Sequence, residues 1–260
     1  QRKSEAESIS QILYPSDHGF EGKLLRLKQE YFFVCAGLKR IVRRYKKHNH
    51  GSMDGFPDKI CIHINDTHPA LCVPELMRIL VDEEGYDWDV AWDMTIKSIS
   101  FTNHTVLPEA LEKWPIDMVQ KLLPRVYQII EEINRRFIND MNWFYPDQVD
   151  RNYSMAILKD GQVHMAHLAI IGSHSVNGVA ELHSKILREE TFKDFYAVFP
   201  LFYLELCLQC LCAERQGAFY CHGGNAVQQS FQYCDGLCAD VSAGVGNGGG
   251  GAGYGMFADC

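Results

Sequence analysis

Residues 59–69 read Lys59-Ile60-Cys61-Ile62-His63-Ile64-Asn65-Asp66-Thr67-His68-Pro69, and this stretch decides the fold class. Its first six residues form an apolar run with isoleucine at every second position, the length of a strand and too short for a helix. The run reads as a buried strand of a parallel sheet. The polar residues that follow stand at the carboxyl end of that strand, where α/β proteins open a ligand-binding crevice. Asp66 and His68, two residues apart, offer hydrogen bonds or proton transfer. Asn65, Asp66 and Thr67 equally suit a turn and helix cap, so both readings stand at this point.

Upstream, Leu27, Tyr31, Val34, Leu38, Ile41 and Tyr45 recur at steps of four and three. That stripe predicts an amphipathic helix over 22–47, with Arg43–Lys47 suiting the negative end of its dipole. Downstream, Pro74 opens a predicted helix through Leu80 or Val81, and Asp87 caps another from Trp88 to about Ile96. Ser98–Thr102 is a second strand, followed by a second polar cluster, Thr102-Asn103-His104-Thr105. His104 reads either as a crevice residue or as a satisfied core histidine. Met118, Leu122, Val126, Ile129, Ile133 and Phe137 stripe a long helical region, kinked or restarted at Pro124. Two further helices are expected over 165–172 and 179–187. The break between them, Gly172-Ser173-His174-Ser175-Val176-Asn177-Gly178, reads as a helix–helix connection. Strands alternating with helices and no hairpin signal give an α/β class with a largely parallel sheet.

Composition narrows the function classes. A net charge of −8 argues against nucleic acid as the partner. No run of eighteen uncharged apolar residues occurs, which argues against a spanning helix and a membrane partner. His164 and His167 lie three apart without a third ligand in view, and no dinucleotide fingerprint or phosphate loop is present, so no metal ligand is assigned. Tyr14-Pro15-Ser16-Asp17-His18-Gly19 is a turn-rich segment that reads as a connection or as a gate over a site. The first residue is Gln1, which suggests a start inside a longer protein.

Residues 201–260 use a different vocabulary. They hold seven of the ten cysteines and twelve of the 21 glycines, and no lysine, proline, isoleucine, threonine or tryptophan. Two domains are therefore expected, 1–199 and an irregular Cys/Gly-rich tail over 200–260. Cys207-x-x-Cys210-x-Cys212 with Cys221-His222 fits no established zinc finger. The bland reading of the tail is a frameshifted or fused segment, and its Gly248–Gly251 run cannot build a core.

Five long strings then resemble the α-glucan phosphorylases, the glycogen and maltodextrin phosphorylases. They are LYPSDHGFEGKLLRLKQEYFFV at 13–34, FPDKICIHINDTHPALCVPELMRIL at 56–80, FTNHTVLPEALEKWP at 101–115, LLPRVYQIIEEINRRF at 122–137 and MAHLAIIGSHSVNGVAELHSKIL at 165–187. The resemblance implies a partial Rossmann-like lobe of a glycosyltransferase-B-type fold. It implies phosphorolysis of α-1,4-glucan by inorganic phosphate to glucose 1-phosphate, a cytoplasmic homodimer, and pyridoxal phosphate on a lysine of the other lobe. Residue by residue, it implies that His104 bonds the glucose at the catalytic site and that Asp17 belongs to a gating loop. Asp66, His68 and Glu112 are implied to line an adjoining pocket, with Arg26 flanking the loop. His18 and Gly19 depart from that loop's Asn-plus-bulky pattern. The last lysine is Lys193, so this stretch alone is expected to lack the cofactor lysine and to be inactive.

Overall fold

The stripe of Leu27, Val34, Leu38, Ile41 and Tyr45 does form one buried helix face, on a helix of two more residues at the start and one more at the end than the spacing predicts. The computed structural model describes residues 2–12, 15 and 19–199. Within these, α1 (Arg2–Gln11) and α2 (Phe20–His48) precede a short α3 (Phe56–Lys59). Strand β1 (Ile62–Asn65) leads to α4 (Cys72–Arg78), whose last turn loosens into a π-helical segment, Ile79–Glu83. Helix α5 (Trp88–Ser98) feeds β2 (Ile99–Asn103) directly. Strand β3 (Lys113–Pro115) is followed by α6 (Ile116–Leu122) and α7 (Pro124–Phe144). Pro124 restarts rather than kinks the helix, because Pro has no N–H to continue the ladder of α6. Then come α8 (Val149–Ser154), β4 (Leu158–Lys159), β5 (Gln162–His164), α9 (Met165–Ile171), β6 (Ser175–Gly178), α10 (Glu181–Ile186) and α11 (Lys193–Val198). The boundary at 199–200 and the tail lie at the edge of, or outside, the described residues.

The principal sheet has the order β1-β2-β6, all parallel, with Ile62 opposite Ile99 and Ser100 opposite Ser175. This α/β arrangement agrees with the expected class in outline. The break at 172–178 is corrected: it contains β6, whose Ser-Val-Asn-Gly composition hides a strand. Gly172 is still needed for packing, since a Cβ there would lie 2.4 Å from Val73 Cγ1. The absence of hairpins is corrected too. Strands β3, β5 and β4 form a small antiparallel sheet, and β4–β5 closes through Asp160-Gly161. Both turn residues have positive φ, 53° and 70°, the requirement of a type I′ turn, and Asp-Gly is its strongest sequence signal.

The expected buried strand is present as β1, whose isoleucines are fully buried while His63 and Asn65 on its other face are half-buried. Ile62, Ile64, Ile99, Phe101 and Val176 point to one face and are fully buried in the core with residues of α2, α4, α5, α7 and α9. The other face carries His63, Asn65, Ser100, Thr102, Ser175 and Asn177. Period-two alternation therefore places apolar packing on one side and a polar layer on the other. No described helix is long and apolar enough to cross a membrane.

Candidate functional site

Strand β1 ends where Asp66 takes a left-handed backbone, φ 67°, which Asp tolerates better than most residues. Its N–H still donates to Thr102 O at 2.8 Å, and its Oδ1 accepts from Thr67 N at 2.8 Å. The turn so fixed lifts His68 over the strand end. Of the two readings of this segment the turn is present, but the helix cap is not: α4 begins at Cys72 after Leu71, with no side-chain cap bond.

Helix α2 supplies the opposite wall. Arg26 and Glu30 are one turn apart, and Arg26 Nε donates to Glu30 Oε1 at 3.2 Å. Arg26 Nη2 lies 3.2 Å from His68 Nδ1 and 3.5 Å from Glu112 Oε1. His68 Nδ1 is 3.3 Å from the same Glu112 oxygen and 3.8 Å from Glu30 Oε1. Glu112 sits just before β3, and its carbonyl accepts from Met165 N at 3.2 Å. Three of the predicted residues, Arg26, His68 and Glu112, therefore meet in one cluster. Burial alone would lower the His68 pKa, but the hydrogen bond and charge of Glu112, aided by Asp66, outweigh it and raise the pKa above its usual value despite Arg26. Burial pushes Glu112 up, yet its bonds to His68 and the charge of Arg26 bring it below the ordinary carboxylate range.

The end of β2 joins this cluster from the side. His104 is exposed, and its Nε2 bonds to Asn65 Oδ1, tying the two strand-end segments together. Beside it, the Asn103 side chain is fully buried, and neither amide atom has a partner among the described residues. His183 of α10 accepts from Val179 N on Nδ1 at 3.0 Å, which leaves the proton on Nε2, a buried donor with no acceptor. Burial and then the charge of His104 lower its pKa, while Asp66 opposes, so these groups are near enough to feel one another. Asp17 lies outside the described residues.

Behind the strand ends runs a directional chain across the polar sheet face. Thr102 Oγ1 donates to Asn177 Oδ1 at 2.6 Å, and Asn177 Nδ2 donates to Gly178 O at 3.0 Å. Thr102 has one proton, so it accepts from His63 Nε2 at 2.7 Å, and His63 Nδ1 accepts from Ser100 Oγ at 2.7 Å. Burial, with the charges of His104 and His174, lowers the His63 pKa to about 4, in keeping with this neutral form. Sequence reasoning placed Asn103 in the second polar cluster but assigned no role to Glu30, His63, Asn177 or His183. Glu30 was open to detection, four residues from Arg26 on a helix face; His63 and Asn177 needed the strand register, and His183 the packing of α10.

The arrangement gathers carboxylates, imidazoles and a guanidinium near the carboxyl ends of parallel strands, groups able to hydrogen-bond hydroxyls and to exchange protons. The sequence pattern of the phosphorylase family, described as carbohydrate phosphorylase, matches residues 1–204. The chain belongs to the carbohydrate phosphorylase family. Among curated members of this phosphorylase family it is 49% identical over 255 residues to the muscle form of glycogen phosphorylase from Mus musculus, covering 88% of this chain and 30% of that protein. It is 58% identical over 198 residues to glycogen phosphorylase from Bacillus subtilis, covering 76% of this chain and 25% of that protein. Against the human muscle form it is 55% identical over 205 residues, covering 75% and 24%. The chain thus spans about a quarter to a third of the length of these phosphorylases.

Proposed function

We propose that the strand-end crevice is the glucose-holding face of an α-glucan phosphorylase, built on part of a Rossmann-like lobe of the glycosyltransferase-B type. In this reading His104 bonds a glucose hydroxyl, while Asp66, His68, Glu112 and Arg26 line the pocket beside it and Asp17 belongs to the segment that gates it. The observation that carries the reading is the Asn65–His104 bond. It leaves an exposed imidazole oriented at the rim where two parallel strands end, which is where such folds recognise ligands. The established members' names supply the substrate class, glycogen. The whole reaction would be phosphorolysis of α-1,4-glucan to glucose 1-phosphate by a cytoplasmic homodimer.

Pyridoxal phosphate, which the family resemblance implies, does not fit the described cluster. Arg26 is its one guanidinium, already against Glu30, His68 and Glu112. A phosphate dianion placed there would face two carboxyl groups, so no step here runs through the cofactor. Expressed by itself, the 260-residue polypeptide is expected to bind sugar without pyridoxal absorbance and without phosphate-dependent release of glucose 1-phosphate.

The test is a titration of the chain with maltooligosaccharides, followed on the histidine Cε1 resonances. Saturable shifts at His104 support the reading, together with a loss of roughly tenfold in affinity on His104→Ala, about the worth of one hydrogen bond. Affinity unchanged by His104→Ala, or no sugar binding at all, would remove it.

A further inference from the structure

Glu30 and Glu112 place two carboxyl groups in one largely buried cluster, with side chains 9% and 11% exposed. Each directs Oε1 toward Arg26 and His68 and leaves Oε2 buried without a partner among the described residues. Two ionised carboxylates side by side repel, and each desolvated oxygen without a donor is costly. We propose that Glu30 is a positioning residue of the pocket: as a neutral acid it accepts from Arg26 and donates to Glu112, so that Glu112 alone carries the negative charge facing His68.

The contacts decide which of the two holds the proton. Glu112 Oε1 is the nearer to His68, at 3.3 Å against 3.8 Å for Glu30 Oε1. Burial and then the charge of Glu112 move the Glu30 pKa well above the ordinary carboxylate range, in the same direction as the geometry. The charged groups facing the pair are Arg26 on α2 and His68 after β1, with Asp66 acting on His68. Glu30, His68 and Glu112 also have the spacing of a three-ligand cation site, with ligand atoms within 4.8 Å of one another. Arg26 Nη2, however, stands 3.2 Å from His68 and 3.5 Å from Glu112, where that cation would have to sit. A proton adds the missing positive charge without displacing the guanidinium. The consequence for ligand binding rests on the pocket reading above; the protonation state does not.

The experiment is the pH titration of the His68 Cε1 resonance in the full chain and its variants. Glu30→Gln keeps one acceptor and one N–H donor, so the His68 midpoint is expected to stay within about 0.3 units of wild type. Glu112→Gln removes the facing charge and is expected to lower that midpoint by about one unit or more, the scale of a charge at this distance in a partly buried site. A comparable fall in Glu30→Gln would mean that Glu30 is ionised and would overturn the proposal. The Glu30 carboxyl carbon, followed in the unaltered chain, is expected to titrate above that of Glu112; the reverse order overturns it independently of any variant's folding. Saturable zinc binding that broadens His68 and disappears in Glu30→Gln would also overturn it, in favour of a metal. Failure of the pocket reading would show differently, as absence of sugar binding with the His68 behaviour intact.

Discussion

The two faces of the principal sheet are built from the same three strands and do opposite things. Ile62, Ile64, Ile99, Phe101 and Val176 form one face, all fully buried in the common core. His63, Asn65, Ser100, Thr102, Ser175 and Asn177 form the other, and four of these six are linked in one hydrogen-bond chain. Burial of the first face supplies nondirectional stabilisation that depends on area. The second face depends on direction, because each hydroxyl has one proton and each ring nitrogen one role. Neighbouring residues along a strand therefore divide stability from orientation, and the oriented layer ends at Asn65, whose bond to His104 reaches the crevice.

The widest test of this contrast is acid. His63 and His164 have pKa values lowered to about 4, and His167 to about 3, in each case by burial first. A histidine whose folded pKa lies below its unfolded value of about 6.5 binds fewer protons when folded. The contribution of the three rings to stability is therefore complete above about pH 6.5 and is lost progressively as pH falls toward 4. Urea midpoints at pH 7 and pH 4.5 check this; equal midpoints would mean that the three rings are not held neutral. Next in size, Phe101→Ala empties the centre of the apolar face and should cost about 3–5 kcal/mol. A cost below about 1 kcal/mol would show that this face is not the organising surface. Thr102→Val acts on the polar face and preserves shape, but leaves His63 Nε2 without an acceptor and Asn177 Oδ1 without a donor. It should cost about 1–3 kcal/mol. It should also reverse the His63 tautomer, which the ¹⁵N shifts of the imidazole report.

The legible parts of this fold were those with strong periodicity or a long match. Helix α2 shows its stripe in Leu27 to Tyr45, and β1 and β2 show apolar runs closed by polar clusters. Strand β6 was not legible, because Ser175 and Asn177 face the polar layer and only Val176 faces the core. A strand with one core residue has no pattern to detect, and its register with β2 is a tertiary fact. The Asp160-Gly161 hairpin was legible and overlooked among longer signals. In the site, Arg26, His68 and Glu112 came from the family strings, and the structure brings them together across three elements. Glu30 had a helical spacing to declare it, but its role depends on Glu112, 82 positions away, and no local pattern carries that.

The smallest expected effect on stability is the most informative for function. His104 stands at the end of the oriented layer, exposed, and bonded to Asn65 rather than packed in the core. Truncating an exposed side chain with one polar partner changes stability by no more than about 0.5 kcal/mol. His104→Ala should therefore leave the urea midpoint nearly unchanged while removing most of the sugar affinity. A structural histidine would show the reverse, a lowered midpoint with binding lost only in proportion to unfolded chain. Asn65→Ala separates the two further. It removes the partner and frees the ring, so sugar affinity should fall by less than in His104→Ala while the fold is equally unaffected. If both variants instead lose stability by more than about 1 kcal/mol, the strand-end bond belongs to the framework of the sheet, and the division of labour between its faces ends one residue earlier than Asn65.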